Sequence, residues 1–120
     1  MPLWICVDSS VLLKLVLPEP DSGLAEALWR GALAEDRRTV APALLDFEVT
    51  AVLRKHVQRG ALSHDLAMRA LEQALAFGVE TLTFPGMHQR ALALAQRFGH
   101  VSAYDAHYLA LAQELDCPFW

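Results

Sequence analysis

Cysteine is scarce in this chain of 120 residues, which contains two cysteines and five histidines. Cys6 and Cys117 form no CxxC or Cys/His spacing, and the histidines show no HxxxH or comparable pattern, so no zinc site is predicted. We interpret the thiols as free and half-buried in a reducing cytosol. The histidines are interpreted as surface or helix-end residues, and His107 is the one of interest because it follows Asp105 closely.

An excess of basic residues is also absent. Ten Lys and Arg face fourteen Asp and Glu, which gives a formal net charge of -4. This balance excludes passive nucleic-acid binding driven by overall positive charge, although a nucleic-acid substrate remains possible if metal ions neutralise some carboxylates. No uncharged run approaches the roughly 18 residues of a membrane span, and the N-terminus lacks the pattern of a secretory signal. We therefore expect a cytoplasmic protein without a membrane partner.

No internal repeat, low-complexity tract or linker divides the chain, so residues 1–120 are predicted to form one domain with one core. Apolar, β-leaning runs predict strands at 3–7, 38–41, 79–83 and 117–120. Periodic segments between caps, prolines and glycines predict helices at 8–17, 21–34, 42–59, 63–77, 85–98 and 102–115. Strands that alternate with helices imply right-handed crossovers, a parallel sheet and helices on both faces.

Ligands of such sheets bind beyond the carboxyl ends of the strands, which directs attention to acids that leave a strand or open a helix. Asp8 directly follows the ICV run, and Ser10 lies two residues further on. Asp8 is either a site residue or the N-cap of the following helix.

Glu48 lies inside the helical segment LLDFEVTAVLRK, where Ala51 and Val52 occupy the positions one turn on. An ion pair along the helix is therefore not available to it, which weakens the alternative of a solvated surface residue without removing it. Asp105 follows Ser102 by three residues, the spacing of a capping box, and an acid in the first turn also suits the helix dipole. Capping and cation binding are compatible at that position.

Three carboxylates that converge without intervening bases would repel one another and raise their own pKa values unless a cation joined them. Hard oxygen ligands of this kind suit Mg²⁺ or Mn²⁺.

Three segments together resemble a PIN domain of the VapC-type toxin family: ICVDSSVLLKLVLPEP, APALLDFEVTAVLRK and SAYDAHYLALAQELDCPFW. They span nearly the whole chain. The resemblance implies an α/β fold, a PIN-like three-layer sandwich with a central parallel sheet and helices on both faces. It also implies that Asp8, Glu48 and Asp105 are catalytic, metal-binding residues and that Ser10 supports the first of them.

The activity implied by the resemblance is Mg²⁺- or Mn²⁺-dependent endoribonuclease action by the toxin of a toxin-antitoxin pair, with an antitoxin protein as partner and a homodimer as assembly. Metal-assisted hydrolysis of an RNA phosphodiester needs no protein nucleophile. Four basic residues are candidates for contact with the RNA backbone, and a solvated cationic helix end is the alternative for them: Lys14, Arg54, Lys55 and Arg59.

The end of the chain departs from the family's pattern. Relatives usually continue with a segment such as Trp-Thr-x-Asp, whose acid completes the metal site, whereas this sequence stops at Trp120. Asp116 precedes the last strand and is expected at the opposite end of the sheet. The alternatives are a truncated product, a site with three acids and more water, or a catalytically weakened PIN domain that binds an antitoxin or dimerises.

A receiver domain of signalling proteins is a third candidate of similar length. It requires a lysine at the end of a late strand, and the lysines here are Lys14 and Lys55. This candidate is set aside.

Overall fold

The computed structural model describes residues 3–120, and within them a parallel sheet forms the centre of the molecule. Its strands, in the spatial order β1-β2-β3, are β1 (Trp4–Cys6), β2 (Arg38–Ala41) and β3 (Glu80–Thr81). Ile5 lies opposite Thr39, and Val40 lies opposite Glu80. The chain end extends the sheet beyond β1, because Phe119 forms a parallel bridge with Cys6.

Six helices connect and cover these strands. They are α1 (Ser9–Val16), α2 (Ser22–Ala34), α3 (Leu44–Gln58), α4 (His64–Ala76), α5 (Met87–Arg97) and α6 (Ala103–Leu115). All six predicted helices and three of the four predicted strands are present, and their ends differ from the predicted ends by a few residues. The fourth predicted strand, 117–120, is reduced to the single bridge between Phe119 and Cys6. No helix of the described part is both long and apolar enough to cross a membrane.

The β3 strand is shorter than the predicted run of 79–83. Its neighbour β2 ends at Ala41, and Pro42 has no N–H with which to continue the ladder. The Leu82 N–H still donates to the Ala41 carbonyl at 3.0 Å, after which the chain leaves the sheet.

Local signals in the sequence set the helix ends. The Ser63 hydroxyl accepts a hydrogen bond from the Leu66 N–H at 3.2 Å and caps α4. Gly78 follows that helix with φ at +73°, a conformation that residues with a Cβ rarely adopt. Because the connection from α3 to α4 is short, these two helices pack as neighbours.

The two faces of the sheet bury different side chains. Ile5 and Val7 pack against Trp29 of α2 on one side, and Cys6 lies in the larger cluster on the other, with Leu45 of α3. This follows from the alternation of side chains along a strand. Helices therefore cover both faces, as the predicted sandwich requires.

Three alanines, each 0% exposed, form a third cluster where α5 meets α6: Ala91, Ala106 and Ala110. Small side chains let the two helix backbones approach closely. This contact fixes the first turn of α6, and with it Asp105, relative to the rest of the fold.

Candidate metal centre

Asp8 leaves β1 at the carboxyl edge of the sheet. Its backbone N–H donates to the Trp120 carbonyl at 2.9 Å, which ties it to the chain end. One carboxylate oxygen accepts from the Ser9 N–H at 2.8 Å, and the other accepts from the Ser10 hydroxyl at 2.9 Å. Asp8 is therefore the N-cap of α1, and its second oxygen is oriented by Ser10.

Asp105 lies in the first turn of α6. Its backbone N–H donates to the Ser102 hydroxyl at 3.0 Å, which is one half of a capping box. The reciprocal bond, from the Ser102 N–H to the Asp105 carboxylate, is not found among the described residues. Capping therefore uses the backbone of Asp105 and leaves its carboxylate available.

Asp8 and Asp105 line the same cavity, of about 310 Å³. Phe119 and Leu109 supply apolar wall, and His100 contributes an imidazole. The structure thus brings together two of the three predicted acids, one from the end of β1 and one from the start of α6.

Glu48 occupies the second turn of α3 and is partly buried. The Tyr108 hydroxyl donates to its Oε1 at 2.6 Å. Burial raises the pKa of Glu48, the hydrogen bond from Tyr108 lowers it, and the charges of Asp8 and Asp105 raise it further. The negative charges of Asp8 and Asp105 therefore both make ionisation of Glu48 less favourable.

These acids fit a hard divalent cation in their chemistry. All three offer carboxylate oxygens, and no ion pair within residues 3–120 neutralises any of them. The same residues 3–120 contain no group of three or more His, Cys, Asp or Glu close enough to hold an ion. Metal binding by Asp8, Glu48 and Asp105 together therefore stays a prediction.

The four basic candidates differ in their surroundings. Lys14 forms an ion pair with Asp21 at 2.6 Å, which links the end of α1 to the start of α2. Lys55 follows Glu48 by seven residues and so lies on the same side of α3, about 10 Å along the axis. Arg54 points roughly 120° away from that side, and Arg59 follows the helix end.

Tyr108 was not identified from the sequence as a site residue. The available signal is that a tyrosine buried in an apolar helix needs a partner for its hydroxyl, and Glu48 is the partly buried acceptor it finds. The sequence also gives no indication that His107 pairs with His88. Their Nε2 and Nδ1 atoms lie 2.8 Å apart, although the residues are 19 positions apart in the chain.

The structure defines a class of protein: an α/β sandwich whose parallel sheet carries acids at its carboxyl edge. The chain belongs to the PIN domain family, whose model matches residues 5–119. The family predicted from the three segments is confirmed, and so is the predicted fold class.

Two curated relatives are similar over most of their length. The chain is 34% identical over 113 residues to VapC ribonuclease Mb0985 of Mycobacterium bovis, which covers 94% of this chain and 80% of that protein. The same values hold for ribonuclease VapC9 of Mycobacterium tuberculosis.

A solved structure has the same fold. It is the crystal structure of Mycobacterium tuberculosis VapC20, described as a toxin that cleaves the sarcin-ricin loop. The TM-score is 0.66 at 20% identity, over 94% of this chain and 84% of that one.

Proposed function

We propose that this chain is a metal-dependent endoribonuclease, the toxin of a toxin-antitoxin pair, which hydrolyses RNA phosphodiester bonds. The observation that carries the proposal is that Asp8 and Asp105 line one cavity, while the Tyr108 hydroxyl joins Glu48 of α3 to α6, the helix that also carries Asp105. The ribonuclease names of the two curated relatives support the same activity.

In this proposal Asp8, Glu48 and Asp105 hold Mg²⁺ or Mn²⁺. A bound divalent cation supplies positive charge at the scissile phosphate and lowers the pKa of a coordinated water. The protein's own part is orientation. Ser10 fixes one oxygen of Asp8, and Tyr108 fixes one oxygen of Glu48, at 2.9 and 2.6 Å.

Substrate and partners follow from the same proposal. Lys55 and Arg59 extend from the Glu48 side of α3 and are exposed, so they are suited to contact an RNA backbone beyond the acids. A cognate antitoxin and a second copy of the chain are the proposed protein partners. Cys6 and Cys117 are both free, which supports a reducing, cytoplasmic compartment.

A second candidate function is a catalytically weakened PIN domain that serves to bind an antitoxin or to dimerise. It is favoured by one observation: among residues 3–120, no three potential ligands are grouped closely enough for a metal.

Cleavage of a mixed-sequence RNA separates the two functions. The enzyme proposal predicts cleavage in Mg²⁺ or Mn²⁺, none in EDTA, and a loss of at least about a hundredfold in Asp105→Asn. The matched control is Asp65→Asn, which changes an acid in the first turn of α4 and should cleave normally. Cleavage by Asp105→Asn at the wild-type rate would refute the proposed site. No cleavage by the wild-type chain in either metal would favour the binding module.

A further inference from the structure

We propose that a second cavity, between the first turns of α3, α5 and α6, binds one unpaired RNA base next to the acids. The proposal rests on the ribonuclease function proposed above and adds a contact for the base to it. The cavity has a volume of about 310 Å³ and is distinct from the one shared by Asp8 and Asp105. Pro42, Leu44 and Met87 form part of its wall, and Phe47, Tyr104 and His88 also line it.

The position of the cavity connects it to the proposed metal centre. Pro42 follows β2 and Thr83 follows β3, so the cavity lies at the carboxyl edge of the sheet, where Asp8 follows β1. Phe47 directly precedes Glu48 on α3, and Tyr104 directly precedes Asp105 on α6. An RNA strand with a phosphate at the acids therefore has a neighbouring base within reach of this cavity.

Two aromatic side chains at the cavity are strongly exposed. Phe47 is 73% exposed and Tyr104 is 66% exposed, so neither contributes much to the core. They come from different helices and both line the same space. Exposed aromatic rings are the surfaces on which proteins stack unpaired bases, which makes a flat, partly apolar ligand a good match.

The two histidines give the cavity an oriented polar group. The Nδ1 of His107 lies 2.6 Å from the Ala103 carbonyl, which can only accept, so Nδ1 donates. In the neutral ring Nε2 then carries no hydrogen and accepts from Nδ1 of His88 at 2.8 Å. When the His88 ring is neutral as well, its Nε2 is an acceptor, able to bond an N–H on a base edge.

The composition of the lining favours a base over a phosphate or a metal ion. None of the lining residues is an acid, a lysine or an arginine, and most of the surface is apolar. Apolar walls with a few convergent polar groups are typical of sites for small planar ligands, and a volume of about 310 Å³ lies at the lower end of the range for such sites. One base fits these requirements better than a long protein segment.

Binding of short RNAs in EDTA tests the proposal without cleavage. A mixed-sequence oligoribonucleotide is compared with versions in which each base in turn is replaced by an abasic nucleotide, and affinity is measured by fluorescence anisotropy. We expect one position, next to the bond cleaved in Mn²⁺, at which the abasic change weakens binding roughly five- to a hundredfold.

Variants then assign that position to the cavity. Phe47→Ala and Tyr104→Ala should weaken binding of intact RNA by a similar factor and should no longer respond to the abasic change. Tyr104→Phe keeps the ring and should therefore still lose affinity on the abasic change. Leu92→Ala is the control, since Leu92 is 68% exposed on α5 and does not line the cavity. Thermal unfolding of each variant checks that it is folded.

Three results would overturn the base site. The first is an abasic effect that persists unchanged in both alanine variants, with cleavage intact, which leaves the ribonuclease function standing. The second is a smaller oligomer in Phe47→Ala or Tyr104→Ala with unaltered RNA affinity, which would assign the cavity to a protein contact. The third is a wild-type chain that neither binds nor cleaves RNA, which would remove the proposed function as well.

Discussion

The Tyr108 hydroxyl donates a hydrogen bond of 2.6 Å to the Glu48 carboxylate and so joins α6 to α3 beside the proposed metal centre. Tyr108 is fully buried, and its ring stacks on Phe119 with 5.8 Å between ring centroids. Burial, followed by the hydrogen bond and the charge of Glu48, raises the pKa of Tyr108. Tyr108 therefore stays a donor throughout the working pH range and holds Glu48 in one orientation.

Tyr108→Phe should remove this orientation while keeping the buried ring. The loss of a hydrogen bond to a charged acceptor should lower the free energy of unfolding by about 1–2 kcal/mol, moderated because the partly exposed Glu48 can bond water instead. RNA cleavage should fall by a larger factor than this destabilisation explains. Urea denaturation and kcat/KM measure the two effects.

The control is Tyr104→Phe, which removes an exposed tyrosine hydroxyl from the same helix. It should change the free energy of unfolding by less than about 0.5 kcal/mol. Equal effects of the two substitutions on cleavage would mean that Tyr108 does not position Glu48.

Glu48 should make the metal-free protein less stable as the pH rises. Its pKa is raised in the folded state above the ordinary value of 4.5, so the folded chain binds this proton more tightly than the unfolded chain. The stabilisation that protonated Glu48 contributes is complete at pH values below 4.5. It is lost as the pH rises through the pKa of Glu48 in the folded protein. Glu48→Gln should therefore be more stable than wild type near neutral pH, and the difference should disappear in acid. Urea denaturation in EDTA at several pH values measures this.

Glu72→Gln serves as the comparison, because Glu72 is an exposed acid on α4. Its stability should follow the wild-type pH dependence. If the Glu48→Gln and wild-type curves run parallel across the acidic range, then burial and the charges of the other two acids do not raise the pKa of Glu48 significantly.

Asp105→Asn distinguishes the two roles of that residue. The observed cap uses the Asp105 backbone N–H and the Ser102 hydroxyl, so it should survive the substitution. The free energy of unfolding should therefore fall by at most about 1 kcal/mol, through the lost interaction with the helix dipole. The rise in Tm on addition of Mn²⁺ should be largely abolished, because a ligand that binds only the folded state stabilises it.

Asp65→Asn, in the first turn of α4, is the matched control and should keep the Mn²⁺ shift of the wild type. An Mn²⁺ shift that persists in Asp105→Asn would leave capping as the whole role of Asp105.

Local patterns in the sequence were sufficient to predict most of the fold. Helix-capping and helix-terminating residues affect only the few residues next to them in the chain. The N-caps Ser63 and Ser102 and the helix-terminating Gly78 are each found at the predicted helix end. The apolar run before Asp8 similarly locates β1, and the alternation of elements predicts the parallel sheet.

Contacts between distant segments were not predictable in the same way. Tyr108 and Glu48 are 60 positions apart, and whether they meet depends on how α6 and α3 pack against each other. The pairing of His88 with His107 depends likewise on the packing of α5 against α6. A single sequence records the residue types at these positions but not the angles between helices, so both contacts emerged only from the structure.

Ser10→Ala tests whether the orientation of Asp8 matters for metal binding. The Ser10 hydroxyl donates to the second carboxylate oxygen of Asp8 at 2.9 Å, whereas the N-cap bond from the Ser9 N–H uses the other oxygen. Removal of the exposed hydroxyl should therefore change the free energy of unfolding by less than about 0.5 kcal/mol. Affinity for Mn²⁺ should fall roughly 10- to 100-fold, because groups that orient a ligand contribute strongly to metal affinity.

Calorimetric titration with Mn²⁺ measures this affinity. The control is Thr50→Ala, which removes an exposed hydroxyl bonded to the Asp46 carbonyl on α3 and should bind Mn²⁺ as the wild type does. Equal Mn²⁺ affinity in Ser10→Ala and wild type would show that Asp8 does not depend on Ser10 to act as a ligand.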